Sequence, residues 1–359
     1  MPARAHFNTR RGALLISAFL LALLPACSRP PATLVQAGVI AHPVINEASG
    51  LAPSRRADSL LWTHNDSDGE PVLYAIATDG RFLGSVRVAG VRNIDWEDIA
   101  SFELDGRAWL LIADTGDNGT VRRDCALHVI AEPDPAALSP ARELTAAVAW
   151  SIPVRYPDGP HDCESVAVDA REGRAWLLIK RENPNRLASL PLRPAGGTGS
   201  GSGSSGAGGS GSGGSPAAGA GAAADGTLAG TPAAGVPVNG ASAAGAAPVV
   251  VFHGAVAHLP QPDSKQRLFP IPAGRYRGQP TAMDFAADGS AAVVLTYGDT
   301  LLFPRRAGES WSAALAREPV ILPPHNLGQA EAACFSRDSR AIFVTEEKPR
   351  APLLRYDLR

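Results

Sequence analysis

The sequence WEDIASFELDGRAWLLIAD, residues 96–114, shows the pattern from which the architecture of this chain can be predicted. It contains a short run of alternating apolar residues, a polar turn with Asp, Gly and Arg, and a second run of apolar residues, which together predict two antiparallel strands. The same pattern recurs in four other places: ASGLAPSRRADSLLWTHND (48–66), CESVAVDAREGRAWLLIKR (163–181), PTAMDFAADGSAAVVLTYG (280–298) and AEAACFSRDSRAIFVTEE (330–347). Such recurrence indicates a repeat architecture.

The spacing of the repeats predicts their size. The residues that align in the five copies are Ser49, Glu97, Glu164, Thr281 and Glu331. Their separations are 48, 67, 65 and 50 residues once a 52-residue insert in the third copy is left out, so each copy has room for four strands. Four-stranded antiparallel units at this spacing are typical of the blades of a β-propeller.

We therefore predict an all-β protein, a β-propeller of four-stranded blades. Five blades are favoured, six are possible, and a β-sandwich is the competing architecture. The last copy is one strand short at its C-terminal end, whereas TLVQAGVIAH (33–42) precedes the first copy without a partner. This N-terminal strand is expected to close the last blade.

The insert, residues 196–247, is built almost wholly from Gly, Ser, Ala, Thr and Pro and carries Asp225 as its only charge. Such a segment cannot bury enough apolar surface to offset its ordering entropy, and we predict a disordered excursion between two strands. The propeller is accordingly expected in two parts, 41–195 and 248–359.

The N-terminal segment predicts export. A basic start is followed by the 14-residue apolar run ALLISAFLLALLPA (13–26), which is shorter than a membrane-spanning helix. Residues 1–26 are therefore expected to be a signal peptide. The sequence LPAC ending at Cys27 resembles a lipobox, so we expect lipidation of Cys27, a tether over 27–40 and a membrane-anchored lipoprotein on the periplasmic side of the cell envelope. Cleavage after Ala26 to give a soluble periplasmic protein is the alternative.

Charge and composition narrow the range of partners. The formal net charge is −2, and Lys and Arg are scattered evenly along the chain. No basic stripe for nucleic acid is present. The expected partners are the membrane, through the lipid anchor, and an unidentified small molecule or protein, with the chain itself a monomer.

Acidic residues concentrate where the propeller would have one of its two faces. In a four-stranded blade the start of the inner strand and the end of the second strand lie on the same side, which we call the top face. The residues there are Asp95, Glu97, Asp162, Glu164 and Glu331 at strand starts, and Asn65, Asp66, Asp114, Asp117, Asn118, Glu346 and Glu347 at strand ends and in loops. A hard cation such as Ca²⁺ would offset their mutual repulsion.

The predicted metal ligands are Asp66, Asp95, Glu97, Asp114, Asp117, Glu164 and Glu331. The alternative is that these side chains only cap turns and bond to backbone amides. The predicted ligand-binding residues on the same face are Asn65, Trp96, Asn118 and Lys180.

Catalytic signatures are absent from the sequence: it has no GxSxG elbow, HExxH pair, P-loop or CxxC. His64 and His161 fall on the predicted top face, where they could act as acid or base or be merely solvated. Cys125 and Cys163 are expected near the top of adjacent blades, where they form a disulfide or remain separate thiols.

A resemblance to a known group rests on NEASGL (46–51), DWEDIA (95–100), DTGDN (114–118), DCESVAVD (162–169) and EAACFSRD (331–338) followed by VTEE. These segments resemble bacterial exported propellers of the phytase-like esterase and SdiA-regulated types, over nearly the whole chain outside the signal and the insert. The resemblance implies blades, and it implies an esterase assignment only through the name of the group.

Three functions are compatible with the sequence. The first is a non-catalytic binding propeller whose acidic top face holds Ca²⁺. The second is a calcium-dependent phosphoric ester hydrolase, in which bridged ions would neutralise the ester and activate water. The third is a scaffold whose acids only cap turns.

Overall fold

The computed structural model describes residue 1 and residues 31–67, 69–193 and 249–359. All of its strands belong to one compact unit, Pro31–Arg359. The predictions for the signal peptide, for Cys27 and for the insert at 196–247 lie outside the described residues. No helix among the described residues is long and apolar enough to cross a bilayer.

Nearly all of the regular secondary structure in the described residues is β-strand. The strands of its first half are β1 (Ala32–Ile40), β2 (Ala48–Pro53), β3 (Leu60–Asn65), β4 (Val72–Ala77), β5 (Phe82–Ala89), β6 (Trp96–Leu104), β7 (Arg107–Asp114), β8 (Ala126–Ala131), β9 (Leu144–Pro153) and β10 (Cys163–Asp169). The strands of its second half are β11 (Arg174–Ile179), β12 (Asn185–Pro191), β13 (Val251–Val256), β14 (Pro280–Phe285), β15 (Ala291–Thr296), β16 (Thr300–Pro304), β17 (Val320–Ile321), β18 (Ala330–Phe335), β19 (Ala341–Glu346) and β20 (Ala351–Leu358). One short helix, α1 (Trp311–Leu315), and two 3₁₀ turns, Pro135–Ala137 and Gln266–Leu268, complete the described elements.

The strands form five four-stranded antiparallel units within the described residues. Blades 1 to 5 are β2–β5, β6–β9, β10–β13, β14–β17 and β18–β20 with β1. The outer strands of blades 1 and 2 also pair in parallel, from Val86 with Leu144 to Ala89 with Ala147, which joins these two blades into one eight-stranded sheet. The predicted all-β propeller of four-stranded blades is confirmed.

The inner strands close a ring. Strands β2, β6, β10, β14 and β18 each pack against the next, and β18 packs against β2. Five clusters of buried apolar side chains lie between the blades, one for each adjacent pair. The blades are therefore held mainly by apolar burial on both faces of each sheet, which explains why β2 and β4 are buried along their whole length.

The N-terminal strand closes the last blade as the sequence predicts. Strand β1 pairs antiparallel with β20, from Ala32 opposite Leu358 to Ile40 opposite Ala351. Residues 32–40 therefore belong to blade 5 and not to the tether that the sequence predicts over 27–40.

Two buried aspartates fasten the inner strands to one another. Asp98 Oδ2, on β6, accepts hydrogen bonds from Val166 N at 2.8 Å and Met283 N at 3.2 Å, on the inner strands of blades 3 and 4. Asp284 Oδ2, on β14, accepts one from Phe335 N at 2.9 Å in blade 5. Burial raises the pKa of both carboxyls, that of Asp284 to about 6. These bonds fix the relative positions of four of the inner strands.

Candidate metal centre

Each inner strand begins with the same irregularity. In every blade it has one residue more than the second strand at its top end. The bulges include the five aligned residues Ser49, Glu97, Glu164, Thr281 and Glu331. A bulge changes the direction of a side chain relative to regular alternation, and bulges are frequent beside functional sites. The repeat in the sequence thus marks five redirected side chains at one mouth of the ring.

Two groups of carboxylates meet at this top mouth. One consists of Asp66, Asp95 and Glu97, and the other of Glu97, Asp162 and Glu164. Within each group, one oxygen from each residue lies within 4.8 Å of the others. Glu97 belongs to both groups and is the centre of the cluster.

Glu97 has a buried carboxylate whose charge no contacting group among the described residues neutralises. Its residue is only 5% exposed, and no hydrogen bond or close ion pair among the described residues reaches its carboxylate. Burial, and next the charge of Glu164, raise the pKa of Glu97 well above its ordinary value. A buried carboxylate in this position must take up either a proton or a cation.

The other two members of the first group have similar surroundings. Asp66 Oδ1 is buried and has no hydrogen-bond partner among the described residues. Burial, followed by the charge of Asp66, raises the pKa of Asp95 to about 6. Among the described residues, the first group therefore combines three carboxylates with no cationic side chain in direct contact.

The second group already has its counter-charges. Lys180 Nζ contacts Glu164 Oε2 and donates a hydrogen bond to Tyr297 Oη at 2.8 Å. Burial lowers the pKa of Lys180, but Glu164 and Glu331 outweigh this effect and leave its pKa well above the ordinary value. Arg181 Nε likewise donates to Asp162 Oδ2 at 2.5 Å. The cation site is therefore better formed by Asp66, Asp95 and Glu97.

Gly116 allows the loop after β7 to approach these carboxylates. A Cβ atom at this position would lie 2.0 Å from Glu97 Oε1 and 2.5 Å from Asp95 Oδ2, so a larger residue would displace these carboxylates. Arg122 holds the loop in place, donating from Nη1 to Gly116 O and from Nη2 to Asp114 Oδ1, both at 2.7 Å. The loop thus forms one wall of the site.

Three of the predicted metal ligands fall outside both groups. Asp114 is neutralised by Arg122 and accepts a hydrogen bond from Asp95 N at 3.2 Å, and Asp117 accepts backbone hydrogen bonds from Val121 and Arg122. The third is Glu331 in blade 5, whose Oε1 accepts a hydrogen bond from Gln329 Nε2 at 3.3 Å. These contacts of Asp114 and Asp117 are of the kind that the alternative interpretation, turn capping and bonding to backbone amides, expects.

The side chains of most predicted ligand-binding residues already contact other residues of the protein. Asn65 Nδ2 donates to Val44 O at 2.7 Å, and Asn118 Oδ1 contacts the guanidinium of Arg181. Trp96 is fully buried and stands edge-on to the ring of His64, with 5.7 Å between the ring centroids, so its predicted contact with a ligand stays a prediction. Lys180 does line the cluster, but its ammonium is engaged with Glu164.

The two histidines differ in their surroundings. His64 is fully buried, and burial lowers its pKa to about 4, so it is neutral at physiological pH. His161 lies beside Asp158, with 2.8 Å between Nε2 and Oδ1, at the edge of blade 3. Neither histidine belongs to the two carboxylate groups.

The cysteines form no disulfide among the described residues. Cys125, Cys163 and Cys334 are free and buried thiols. Cys163 Sγ is turned toward the carbonyls of Ser165 and Leu178 in its own blade, at 3.6 Å from each, which accounts for the absence of the predicted bond to Cys125. Burial raises the pKa of both Cys125 and Cys163 to about 12.

Sequence reasoning leaves three contributors to the site out of the predicted set. Asp162 is placed on the top face but not among the metal ligands, and Gly116 and Tyr297 are not singled out. Tyr297 follows β15 at the position that Asp66 and Lys180 hold in blades 1 and 3, so an alignment of strand ends irrespective of residue type would have found it.

Comparisons with known proteins give fold-level similarity. No family model and no curated protein matches this chain. The chain is similar to the PQQ-bound aldose sugar dehydrogenase of Streptomyces coelicolor, with 11% identity, 92% of this chain and 100% of the other covered, and a TM-score of 0.43. It is also similar to a luciferin-regenerating enzyme, with 9% identity, 91% of this chain and 95% of the other covered, and a TM-score of 0.39. A third similarity is to a chain of a nidogen/laminin complex, with 10% identity, 84% of this chain and 73% of the other covered, and a TM-score of 0.35. At these values the similarities carry no information about activity.

Proposed function

We propose that this protein is an exported, non-catalytic binding propeller whose top mouth holds one hard divalent cation, Ca²⁺, on Asp66, Asp95 and Glu97. The bound ion would present its remaining coordination positions to a ligand or partner at the mouth.

The uncompensated burial of Glu97 carries this proposal. Its carboxylate lies within 4.8 Å of oxygens from Asp66 and Asp95, and no cationic side chain in the described part of the chain contacts any of the three. An arrangement of three clustered, desolvated carboxylates is unfavourable in a folded protein unless protons or a cation neutralise them. A capping role does not explain it, because capping carboxylates accept backbone hydrogen bonds as Asp117 does.

Calcium suits the donor set better than the transition metals. The group offers only carboxylate oxygens, and Ca²⁺ takes six to eight oxygen ligands in a flexible geometry. Three carboxylates can supply up to six of them, with water completing the shell. Histidine and cysteine, which zinc and copper prefer, are absent from the group.

Export and lipidation belong to the same proposal and rest on the sequence alone. The basic start, the short apolar run 13–26 and the lipobox-like LPAC support an envelope lipoprotein anchored through Cys27. A calcium site is also more useful outside the cytoplasm, where the free ion is abundant. Labelling with a palmitate analogue, with Cys27→Ser as the control, tests the anchor independently of the cation site.

Terbium luminescence tests the cation site. The chain without its first 27 residues, which retains every described strand, is titrated with Tb³⁺ and excited through its tryptophans. We expect sensitised emission that Ca²⁺ displaces and that Glu97→Gln abolishes, because the substitution removes a central ligand. Glu318→Gln, at a side chain that is 85% exposed, is the matched control and should leave the emission unchanged. Equal emission from Glu97→Gln would refute the site.

A second candidate function is a calcium-dependent phosphoric ester hydrolase. The observation that favours it is the sharing of Glu97 by both carboxylate groups, because a bridging carboxylate could hold two ions as in two-metal phosphoesterases. The contact of Lys180 with Glu164 weighs against a second ion. Release of nitrophenol from p-nitrophenyl phosphate that needs Ca²⁺ and Glu97 would establish this function, and its absence at saturating Ca²⁺ would leave the binding propeller.

A further inference from the structure

A cavity lies beside the C-terminal end of the loop that joins β7 to β8 and carries Gly116. It opens between the residues before β8 and the segment that follows β9, and its volume of about 300 Å³ is at the lower end of the range for small-molecule sites. It is lined by Arg122, Arg123 and Arg155 together with Cys125, Val154 and Tyr156, and by the turn 159–161. None of its lining residues is a carboxylate.

The positive charge of this cavity comes from two of its arginines. Arg122 is engaged, because its guanidinium donates to Asp114, to Asp124 and to Gly116 O. Arg123 and Arg155 are exposed, and the ion pairs and side-chain hydrogen bonds of the described residues include neither. Their planar guanidinium groups match the geometry of carboxylate and phosphate oxygens.

The floor of the cavity is apolar and aromatic. Cys125 and Val154 are buried, and the ring of Tyr156 packs edge-on to His161 at 4.9 Å and is stacked with Phe252 at 6.1 Å. Apolar walls with a few convergent polar groups at one side are the usual construction of a small-molecule site. An inorganic anion would use the arginines and leave the floor uncovered.

We propose that this cavity, between the two exposed arginines Arg123 and Arg155 and the floor formed by Cys125, Val154 and Tyr156, binds a small organic oxyanion. The ligand carries a carboxylate or phosphate group at the arginines and an aromatic or branched aliphatic body on the floor. This site is separate from the cation site and goes beyond the proposed function, because none of its lining residues belongs to the carboxylate groups.

Ligand-observed NMR on the chain without its first 27 residues tests the proposal. The probes are phenyl phosphate, benzoate, phenol and inorganic phosphate, all in the presence of EGTA so that the result does not depend on the cation site. We expect phenyl phosphate, benzoate or both to bind, and to bind about tenfold or more tightly than phenol and inorganic phosphate. Which of the two oxyanions binds more tightly identifies the anionic group.

Variants assign the binding to the cavity. Arg123→Ala combined with Arg155→Ala should weaken binding about tenfold or more, because both charge-assisted contacts are lost. Arg92→Ala, at another exposed arginine outside the cavity, is the matched control and should change affinity less than about twofold. Binding that is undiminished in the double variant, the absence of binding by either organic oxyanion at millimolar concentration, or equal binding of inorganic phosphate would overturn the proposal.

Discussion

Glu97→Gln should stabilise the protein without calcium and prevent stabilisation by calcium. At pH 8 in EGTA, Glu97 must either keep a buried charge or hold a proton far above the ordinary pKa of a carboxyl, at a cost of about 3–5 kcal/mol. The neutral amide leaves an unpaired polar group that costs about 1–3 kcal/mol. The substitution therefore adds about 2 kcal/mol to the free energy of unfolding at pH 8 in EGTA. At about 2 °C per kcal/mol for a domain of this size, Tm should rise by about 4 °C.

The response to calcium should run in the opposite direction. A concentration of Ca²⁺ a hundredfold above Kd stabilises the wild-type protein by about 2.7 kcal/mol, which corresponds to a Tm about 5 °C higher. Glu97→Gln should show no such rise. Differential scanning calorimetry of the wild type, Glu97→Gln and the exposed control Glu318→Gln, each in EGTA and in Ca²⁺, measures both effects. If Glu97→Gln melts below the wild type in EGTA and still gains the full shift in Ca²⁺, Glu97 is neither an unfavourable buried carboxyl nor a ligand of the ion.

Three further predictions follow from the same contacts. In EGTA the free energy of unfolding should fall as pH rises from about 4 through 6, because burial raises the pKa of Asp95 to about 6 and that of Glu97 above its ordinary value. The two protonated carboxyls stabilise the protein at low pH, and this stabilisation is lost when they ionise. Urea unfolding at pH 5 and pH 8 measures the fall, and Ca²⁺ should remove it. Gly116→Ala should lower the free energy of unfolding by about 1–3 kcal/mol and weaken Ca²⁺ binding, because the new Cβ would lie 2.0 Å from Glu97 Oε1. The control Gly119→Ala, whose Cβ would have no neighbour closer than 3.5 Å, should change neither quantity. Urea unfolding and Tb³⁺ competition measure the two effects. Asp284→Asn should lower the free energy of unfolding, measured in urea, by about 1–3 kcal/mol, because the side-chain amide NH₂ would face a backbone N–H. The affinity for Ca²⁺ should stay unchanged, which separates this effect from the cation site.

The propeller could be predicted because each blade repeats the same order of apolar and polar residues. Strand alternation, polar turns and a constant spacing identify the blades, and the unpaired strand near residue 33 predicts the closure with β20. The five aligned positions also predict which side chains share the top mouth, because equivalent positions of equivalent blades lie on the same face.

The internal organisation of the site could not be predicted in the same way. Alternation fails at a bulge, so the sequence does not tell which of Trp96 and Glu97 faces the mouth. Which carboxylates already have partners depends on distances between loops: Arg122 reaches Asp114, and Lys180 reaches Glu164, whereas Glu97 is left uncompensated. Whether Cys163 forms a disulfide with Cys125 depends likewise on the direction of its side chain.

Calorimetric titration with Ca²⁺ of the chain without its first 27 residues shows whether Asp66, Asp95 and Glu97 form a cation site. Titrations at pH 6 in two buffers of different protonation enthalpy measure both the number of ions bound and the number of protons released. We expect one Ca²⁺ ion per chain with net release of protons, because burial raises the pKa of Asp95 to about 6 and that of Glu97 well above its ordinary value, and both must ionise to bind the ion. Glu97→Gln should show neither signal. Absence of binding at millimolar Ca²⁺, or binding that Glu97→Gln leaves intact, would contradict this expectation.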